Sequence, residues 1–145
     1  MPDEPNVDVL LVEDNPGDVV LITDIIKEFR PDVVVHVARD GIEATDFLNH
    51  QMESQGSPRP AIIILDLNLP RYDGRELLAE LKSSPKFKRI PVIVLTGSSS
   101  PVDVSTCYDL CANCYLVKPL DLGTLTDVVR SLLDFWLSKV KLPLD

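Results

Sequence analysis

The stretch Ile62-Ile63-Ile64-Leu65-Asp66 is an apolar run that ends abruptly in a carboxylate. A short apolar run bounded by turn-forming residues is typical of a strand that is buried on both faces of a parallel sheet. The same pattern occurs at three other places, where the apolar runs end in Glu13-Asp14, in Thr96 and in Lys118. The four runs therefore predict four parallel strands of one α/β domain.

Strand-like and helix-like segments alternate along the whole chain. We expect strands at residues 7–12, 33–37, 61–65, 92–95 and 114–117, and helices at about 18–29, 41–51 and 75–83, then after Ser100 and after Asp121. This order predicts a doubly wound α/β fold, with helices on both faces of a five-stranded parallel sheet. Right-handed crossovers and the strand order 2-1-3-4-5 would give a flavodoxin-like topology.

The bulk composition is that of an ordinary globular domain. The 145 residues are 45% hydrophobic and 26% charged, which favours one folded domain over residues 1–145. Because the chain ends soon after the fifth predicted helix, we expect no further domain. A net charge of -9 argues against direct binding to nucleic acid. No apolar run approaches the ~20 residues of a membrane span, and the acidic Asp3-Glu4 is unlike a signal peptide. Three cysteines, an odd number, fit free thiols, so we expect a cytoplasmic protein.

The polar residues at the strand ends are expected to meet in one place. Parallel strands end on the same side of a sheet, and the predicted strand order brings Asp14 next to Asp66. Clustered carboxylates are unfavourable unless they share a cation, and Mg²⁺ is the cation that best suits such oxygen ligands. Thr96 can donate a hydrogen bond to a phosphoryl oxygen, and Lys118 supplies a mobile positive charge. The leading hypothesis is a Mg²⁺-assisted phosphoryl transfer onto Asp66.

Each of these residues also has an ordinary alternative role. Taken singly, Asp14 reads as a helix cap, Thr96 as a turn former and Lys118 as a solvated loop residue. Four such groups at the ends of four strands of one fold are improbable as coincidence, so the joint pattern favours a site. The Lys118–Pro119 bond is a candidate cis peptide, because X–Pro bonds tolerate the cis form in tight turns.

At this point the chain resembles the receiver domains of two-component response regulators. Four stretches carry the resemblance, which covers roughly residues 7–135: LLVEDN at 10–15, ILDLNLPRYDG at 64–74, VLTG at 94–97 and YLVKP at 115–119. It implies a phosphoacceptor signalling domain rather than a conventional enzyme. Such a domain catalyses its own phosphorylation and slow dephosphorylation, and it acts through protein–protein contacts.

The resemblance assigns a role to each matching residue. Asp66 would accept the phosphoryl group from a phosphohistidine of a sensor histidine kinase, and Thr96 and Lys118 would bind the phosphoryl oxygens. A Mg²⁺ ion would be held by Asp14, Asp66, the Asn68 carbonyl and, through water, Glu13. Thr96 and Tyr115 would form a switch that alters the surface made by the fourth helix, the fifth strand and the fifth helix.

A narrower resemblance concerns the rest of the chain. The loop at 52–60, the segment KFKRIP at 86–91 and the tail FWLSKVKLP at 135–143 look like small stand-alone receivers paired with phytochrome-type kinases. This suggests an extended last helix and a homodimer.

The last helix has a predicted buried stripe, formed by Leu122, Leu125, Val129, Leu132, Trp136 and Val140. It also has a second apolar set, formed by Val128, Leu133, Phe135 and Leu137, which we expect to pack against a second copy.

Two enzyme classes share parts of the pattern. A haloacid-dehalogenase-type phosphatase needs an acid/base aspartate two residues after its nucleophile, where this chain has Asn68, which cannot transfer a proton. The spacing of Cys107, Cys111 and Cys114 matches that of radical-SAM iron–sulfur enzymes. Their predicted places on a helix and a strand instead favour small buried hydrophobic residues.

Overall fold

Strands and helices alternate throughout the structure, a computed structural model that describes residues 6–53 and 59–143. The strands are β1 (Val7–Val12), β2 (Val33–Ala38), β3 (Ile62–Leu65), β4 (Val92–Thr96) and β5 (Cys114–Val117). The helices are α1 (Pro16–Phe29), α2 (Gly41–Glu53), α3 (Gly74–Ser83), α4 (Pro101–Asp109) and α5 (Leu122–Asp134), followed by a π-helical turn at Phe135–Lys139. The predicted alternation is confirmed, with small shifts at the element ends.

All five strands are parallel, in the order β2-β1-β3-β4-β5, which confirms the predicted topology. In this register Val12 of β1 lies beside Leu65 of β3, and Thr96 of β4 lies beside Val117 of β5. The residues that follow β1, β3 and β5 therefore emerge at one edge of the sheet, together with the end of β4.

The two faces of the sheet carry separate apolar layers. Ile63 and Leu65 of β3 pack in the layer that α2, α3 and α4 cover, whereas Ile62 and Ile64 pack in the layer beneath α1 and α5. Because both faces are buried, successive residues of the strand must all be apolar. This explains why the central strands read as continuous apolar runs without polar alternation.

The buried stripe predicted for the last helix is confirmed at Leu125, Val129 and Leu132, whereas Trp136 and Val140 lie after the end of α5 and are only half-buried. Leu122, predicted to be buried, is 56% exposed, whereas Leu133, assigned to the second apolar set, is fully buried. The buried residues of α5 follow the i, i+4, i+7, i+8 spacing of one helical face: Leu125, Val129, Leu132 and Leu133. A stripe read from the sequence shows which residues share a face of the helix, but it does not show which of them the neighbouring elements cover; Leu133 is covered because it packs in the apolar layer shared with α1.

Three further expectations concern backbone segments. Among the described residues there are no cis peptide bonds, so the Lys118–Pro119 bond is trans. Helix α2 extends to Glu53, two residues beyond the predicted end, and residues 54–58 of the predicted loop at 52–60 lie outside the described part of the chain. None of the helices in the described ranges is long and apolar enough to cross a membrane.

Candidate functional site

Backbone hydrogen bonds continue past the ends of the strands and place the polar residues at one edge of the sheet. The Asp66 N–H donates to the Val12 carbonyl at 3.0 Å, and the Glu13 N–H donates to the Ala38 carbonyl at 2.9 Å. On the other side, the Lys118 N–H donates to the Thr96 carbonyl at 2.6 Å. The resulting crevice lies at the carboxyl ends of the strands, where open α/β sheets bind their ligands.

Asp66 is oriented by contacts to both of its carboxylate oxygens. The Thr96 hydroxyl donates to Oδ1 at 2.7 Å, and the backbone N–H of Asn68 donates to the same oxygen at 3.2 Å. Lys118 Nζ lies 3.3 Å from Oδ2. The side chains of Asp66 and Thr96 are buried, so this carboxylate is held in one orientation by groups that suit a phosphoryl anion.

Three carboxylates form a group of metal-ligating size. Oxygens of Glu13, Asp14 and Asp66 all lie within 4.8 Å of one another. Glu13 and Asp66 are buried, whereas Asp14 and the adjoining Asn68 are exposed, so the group opens to solvent on that side. Carboxylate oxygens at this spacing, with an open side for water or substrate, fit a hard divalent cation such as Mg²⁺.

The surroundings in the crevice raise the pKa values of both Glu13 and Lys118, for different physical reasons. Burial raises the pKa of Glu13 to about 7; the charge of Asp66 adds to the rise, and the hydrogen bond from Lys118 opposes it. For Lys118, burial alone would lower the pKa. The hydrogen bonds to Glu13 and Asp18 and the negative charge of Asp66 outweigh burial, and the Lys118 pKa lies above its usual value. Lys118 is therefore charged, and the group as a whole keeps an excess of negative charge.

Tyr115 is connected to the loop that follows Thr96. Its hydroxyl donates to the Ser98 carbonyl at 2.8 Å, and the ring is half-buried against the layer beneath α4. The Ser98 hydroxyl in turn donates to Asp103 of α4 at 2.6 Å. A change in the position of the loop at Ser98 would therefore be felt by both Tyr115 and the start of α4.

The structure brings most of the predicted site residues together and adds one. Contacts or close approach link Glu13, Asp14, Asp66, Asn68, Thr96 and Lys118. Tyr115 lies beside this group, bonded to Ser98. The residue that the sequence analysis missed is Asp18, whose Oδ2 accepts a hydrogen bond from Lys118 at 2.9 Å. An acidic residue in the first turn of a helix is so common that the sequence carries no signal for this contact.

The cysteines do not form a cluster site. Cys107 is buried, as predicted, but Cys111 is exposed at a positive φ of 71° after α4, and Cys114 is only half-buried. The expectation of a buried hydrophobic role is therefore wrong for Cys111, because the chain turns sharply there. Within the described residues, the cysteines are not among the groups that could share a metal ion.

Comparison with known proteins gives one consistent answer. The family model for the response regulator receiver domain matches residues 9–130. The chain is 47% identical to response regulator Rcp1 of Synechocystis sp. over 145 residues, which is 99% of each protein. Among solved structures, it resembles the phosphorylated cyanobacterial phytochrome response regulator RcpA, with a TM-score of 0.89 and 43% identity over 96% of this chain and 99% of that one. It also resembles the Mn²⁺-bound form of Rcp1, with a TM-score of 0.86 and 46% identity over 95% and 99%.

Proposed function

The chain belongs to the response regulator receiver domains, and from this premise we propose that Asp66 is its phosphoacceptor. The observation that carries the proposal is the environment of the Asp66 carboxylate. It is buried, it accepts a hydrogen bond from Thr96 at 2.7 Å, and Lys118 lies 3.3 Å away. These two groups are placed to bind oxygens of a phosphoryl group attached to Asp66.

The proposed reaction transfers a phosphoryl group from a phosphorylated histidine of the sensor kinase to the unphosphorylated carboxylate of Asp66. A carboxylate oxygen of Asp66 forms a bond to phosphorus while the bond between phosphorus and a histidine nitrogen of the sensor kinase breaks. The histidine leaves with the electron pair of that bond and takes up a proton from water. Slow dephosphorylation is attack by water on the same phosphorus, which releases inorganic phosphate and restores the Asp66 carboxylate. In both steps the chain itself supplies the catalytic groups.

Mg²⁺ is the expected cofactor, held by Asp14, Asp66, the Asn68 carbonyl and, through water, Glu13. The support is the carboxylate group within 4.8 Å and the similarity to a relative described as Mn²⁺-bound. Bound there, the ion would neutralise the phosphoryl oxygens and reduce the repulsion between an incoming anion and these carboxylates. Asp14 and Asp66, with Glu13 acting through water, would hold the ion at the exposed side of the crevice.

Thr96 and Tyr115 form the proposed switch. When a phosphoryl group occupies the crevice, the Thr96 hydroxyl would donate to a phosphoryl oxygen instead of to the bare Asp66 carboxylate. The loop after Thr96 moves with it, and the bond from Tyr115 to the Ser98 carbonyl transmits that movement to β5. The readout is a changed surface on α4, β5 and α5, which a partner protein recognises.

The partners proposed are proteins. A sensor histidine kinase supplies the phosphoryl group, and the resemblance to the cyanobacterial phytochrome response regulator favours a kinase of the phytochrome type. Direct binding to nucleic acid and to membranes is not part of the proposal, because a chain of net charge -9 is repelled by polyanions. The free cysteines favour the cytoplasm, where thiols stay reduced.

A homodimer through the face formed by α4, β5 and α5 is also proposed. A groove of about 350 Å³ between β5 and α5 is lined mostly by apolar side chains, including Leu116, Val128 and Trp136. Phe135 borders it and is 54% exposed. Apolar surface of this kind is usually covered by a partner, and two-fold dimers are the commonest soluble oligomers.

Replacing Asp66 tests the phosphoacceptor directly. Wild-type protein with Mg²⁺ and acetyl phosphate should gain one phosphoryl group per chain, detected by intact-protein mass spectrometry. Asp66→Asn keeps the shape of the side chain but removes the nucleophile, so it should gain none. Asp46→Asn, at an exposed position on α2, is the matched control and should behave as wild type. Uptake by the Asp66→Asn variant at the wild-type rate would refute the assignment.

A further inference from the structure

The ammonium group of Lys118 contacts three carboxylates at once. Its Nζ lies 2.7 Å from Glu13 Oε1, 2.9 Å from Asp18 Oδ2 and 3.3 Å from Asp66 Oδ2. An ammonium group has three N–H bonds, so all of its donors are engaged. The contact to the phosphoacceptor is the longest of the three. Asp18 therefore holds Lys118 at least as closely as Asp66 does.

Asp18 differs from the other two carboxylates in what else it can bind. Glu13 and Asp66 belong to the group whose oxygens could share a metal ion, and Asp18 does not. A cation bound by that group would take up the charge of Glu13 and Asp66, whereas the charge of Asp18 would remain available to Lys118. The position of Asp18 is well defined, because its backbone N–H donates to the capping side chain of Asn15 at the start of α1.

We infer that Asp18 is a positioning residue that competes with the phosphoryl group for Lys118. The inference rests on the proposed function of Asp66 and names a regulator of the same site. A phosphoryl group on Asp66 presents new acceptor oxygens to Lys118, and the donor that Asp18 holds is not free for them until it is shared or released. Asp18 thus restrains phosphoryl uptake, and it supports cation binding in two ways. It adds a negative charge near the carboxylate group, and it occupies one N–H of Lys118 that would otherwise be free to compete with a cation for the oxygens of that group.

Removing the charge of Asp18 should therefore change the two properties in opposite directions. In Asp18→Asn the affinity for Mg²⁺, measured by isothermal titration calorimetry, should fall about two- to fivefold, as expected for one partly exposed charge. The rate of phosphoryl uptake from acetyl phosphate, measured with each variant saturated in Mg²⁺, should rise by a similar factor. Loss of structure alone would lower both, so the opposite signs separate a positioning role from a structural one.

Asp24→Asn is the matched control, because it removes the same charge from an exposed position of the same helix. It should leave both the Mg²⁺ affinity and the uptake rate unchanged. A second test places Asp18→Asn in a Lys118→Met background, where the rate increase should disappear, because it acts through the lysine.

The outcomes distinguish the inference from the proposal on which it rests. If Asp18→Asn matches Asp24→Asn, if both properties fall together, or if the rate increase persists without Lys118, Asp18 does not compete for the lysine. If wild-type protein itself takes up no phosphoryl group on Asp66, the proposed function fails, and the role of Asp18 toward the phosphoryl group fails with it.

Discussion

Glu13 is the residue at which burial and function conflict most clearly. Its pKa is raised to about 7 from an ordinary value of 4.5, chiefly because burial disfavours the charged form, with the charge of Asp66 adding to the effect. Between these two pH values the folded protein holds a proton that the unfolded chain has already lost. The free energy of unfolding of the metal-free protein must therefore fall as the pH rises through this window, since deprotonation favours the unfolded chain.

The first prediction follows from this shift. In urea titrations without metal, followed by the fluorescence of the single tryptophan, the midpoint should decrease between about pH 5 and pH 8. Glu13→Gln has no carboxyl group to titrate, so the decrease should be smaller in this variant. Mg²⁺ should also reduce it in wild type, because the cation favours the ionised carboxylate. Equal slopes for wild type and Glu13→Gln would contradict the assigned pKa.

At the scale of the elements, the first residue of α3 lies directly against the backbone that follows β3. Gly74 is the first residue of α3, and its N–H donates to the Leu67 carbonyl at 3.0 Å. A Cβ at this position would lie 2.5 Å from the Asp66 carbonyl oxygen and 2.6 Å from Leu67 Cα. Backbone atoms cannot yield as the end of a side chain can, so only glycine allows the helix to begin so close to Asp66.

The second prediction tests this close approach. Gly74→Ala should lower the free energy of unfolding by about 2 kcal/mol, the cost of overpacking a rigid site, and should slow phosphoryl uptake because Asp66 is displaced. Gly123→Ala is the control within α5, where the nearest atom would lie at an ordinary 3.5 Å. That variant should be as stable as wild type or slightly more stable, by up to about 1 kcal/mol. A Gly74→Ala variant of wild-type stability and uptake rate would show that the backbone there is not tightly packed.

At the scale of the whole molecule, the carboxyl edge of the sheet and its end at β5 present different kinds of surface. The carboxyl edge holds the acidic crevice, and the end of the sheet at β5 presents apolar surface next to α5. Val102 and Tyr108 of α4 and Phe135 after α5 are 72%, 50% and 54% exposed. The hydrogen bonds from Tyr115 to Ser98 and from Ser98 to Asp103 connect the loop after Thr96 to this surface, and the proposed switch would use this route.

The third prediction concerns assembly through that surface. Sedimentation at micromolar concentration should show a dimer, and Phe135→Asp should convert it to a monomer without unfolding it, because the side chain is half exposed in the single chain. Val20→Asp is the control, at a similarly exposed position on α1, and should remain dimeric. A wild-type protein that is strictly monomeric with and without beryllofluoride, which mimics the phosphoryl group, would exclude the proposed dimer.

The sequence by itself determined the elements and the chemistry at their ends. Runs such as Ile62-Ile63-Ile64-Leu65 must be buried on both faces, because four successive apolar residues leave no polar face for water. A parallel sheet then brings Asp66, Thr96 and Lys118 to one edge whatever the details of packing. These predictions depend on periodicity and on local turn chemistry, which neighbouring residues in the chain specify.

Only the tertiary structure decided which residues meet across long separations. The contact of Asp18 with Lys118 joins residues 100 positions apart, and nothing in the first turn of α1 distinguishes Asp18 from an ordinary helix-start acid. The burial of Leu133 in place of Leu122 likewise depends on which elements pack against α5, and the exposure of Cys111 depends on the sharp turn of the chain after α4. Periodicity specifies which residues share a face of a helix, but the neighbouring elements decide how much of that face is covered.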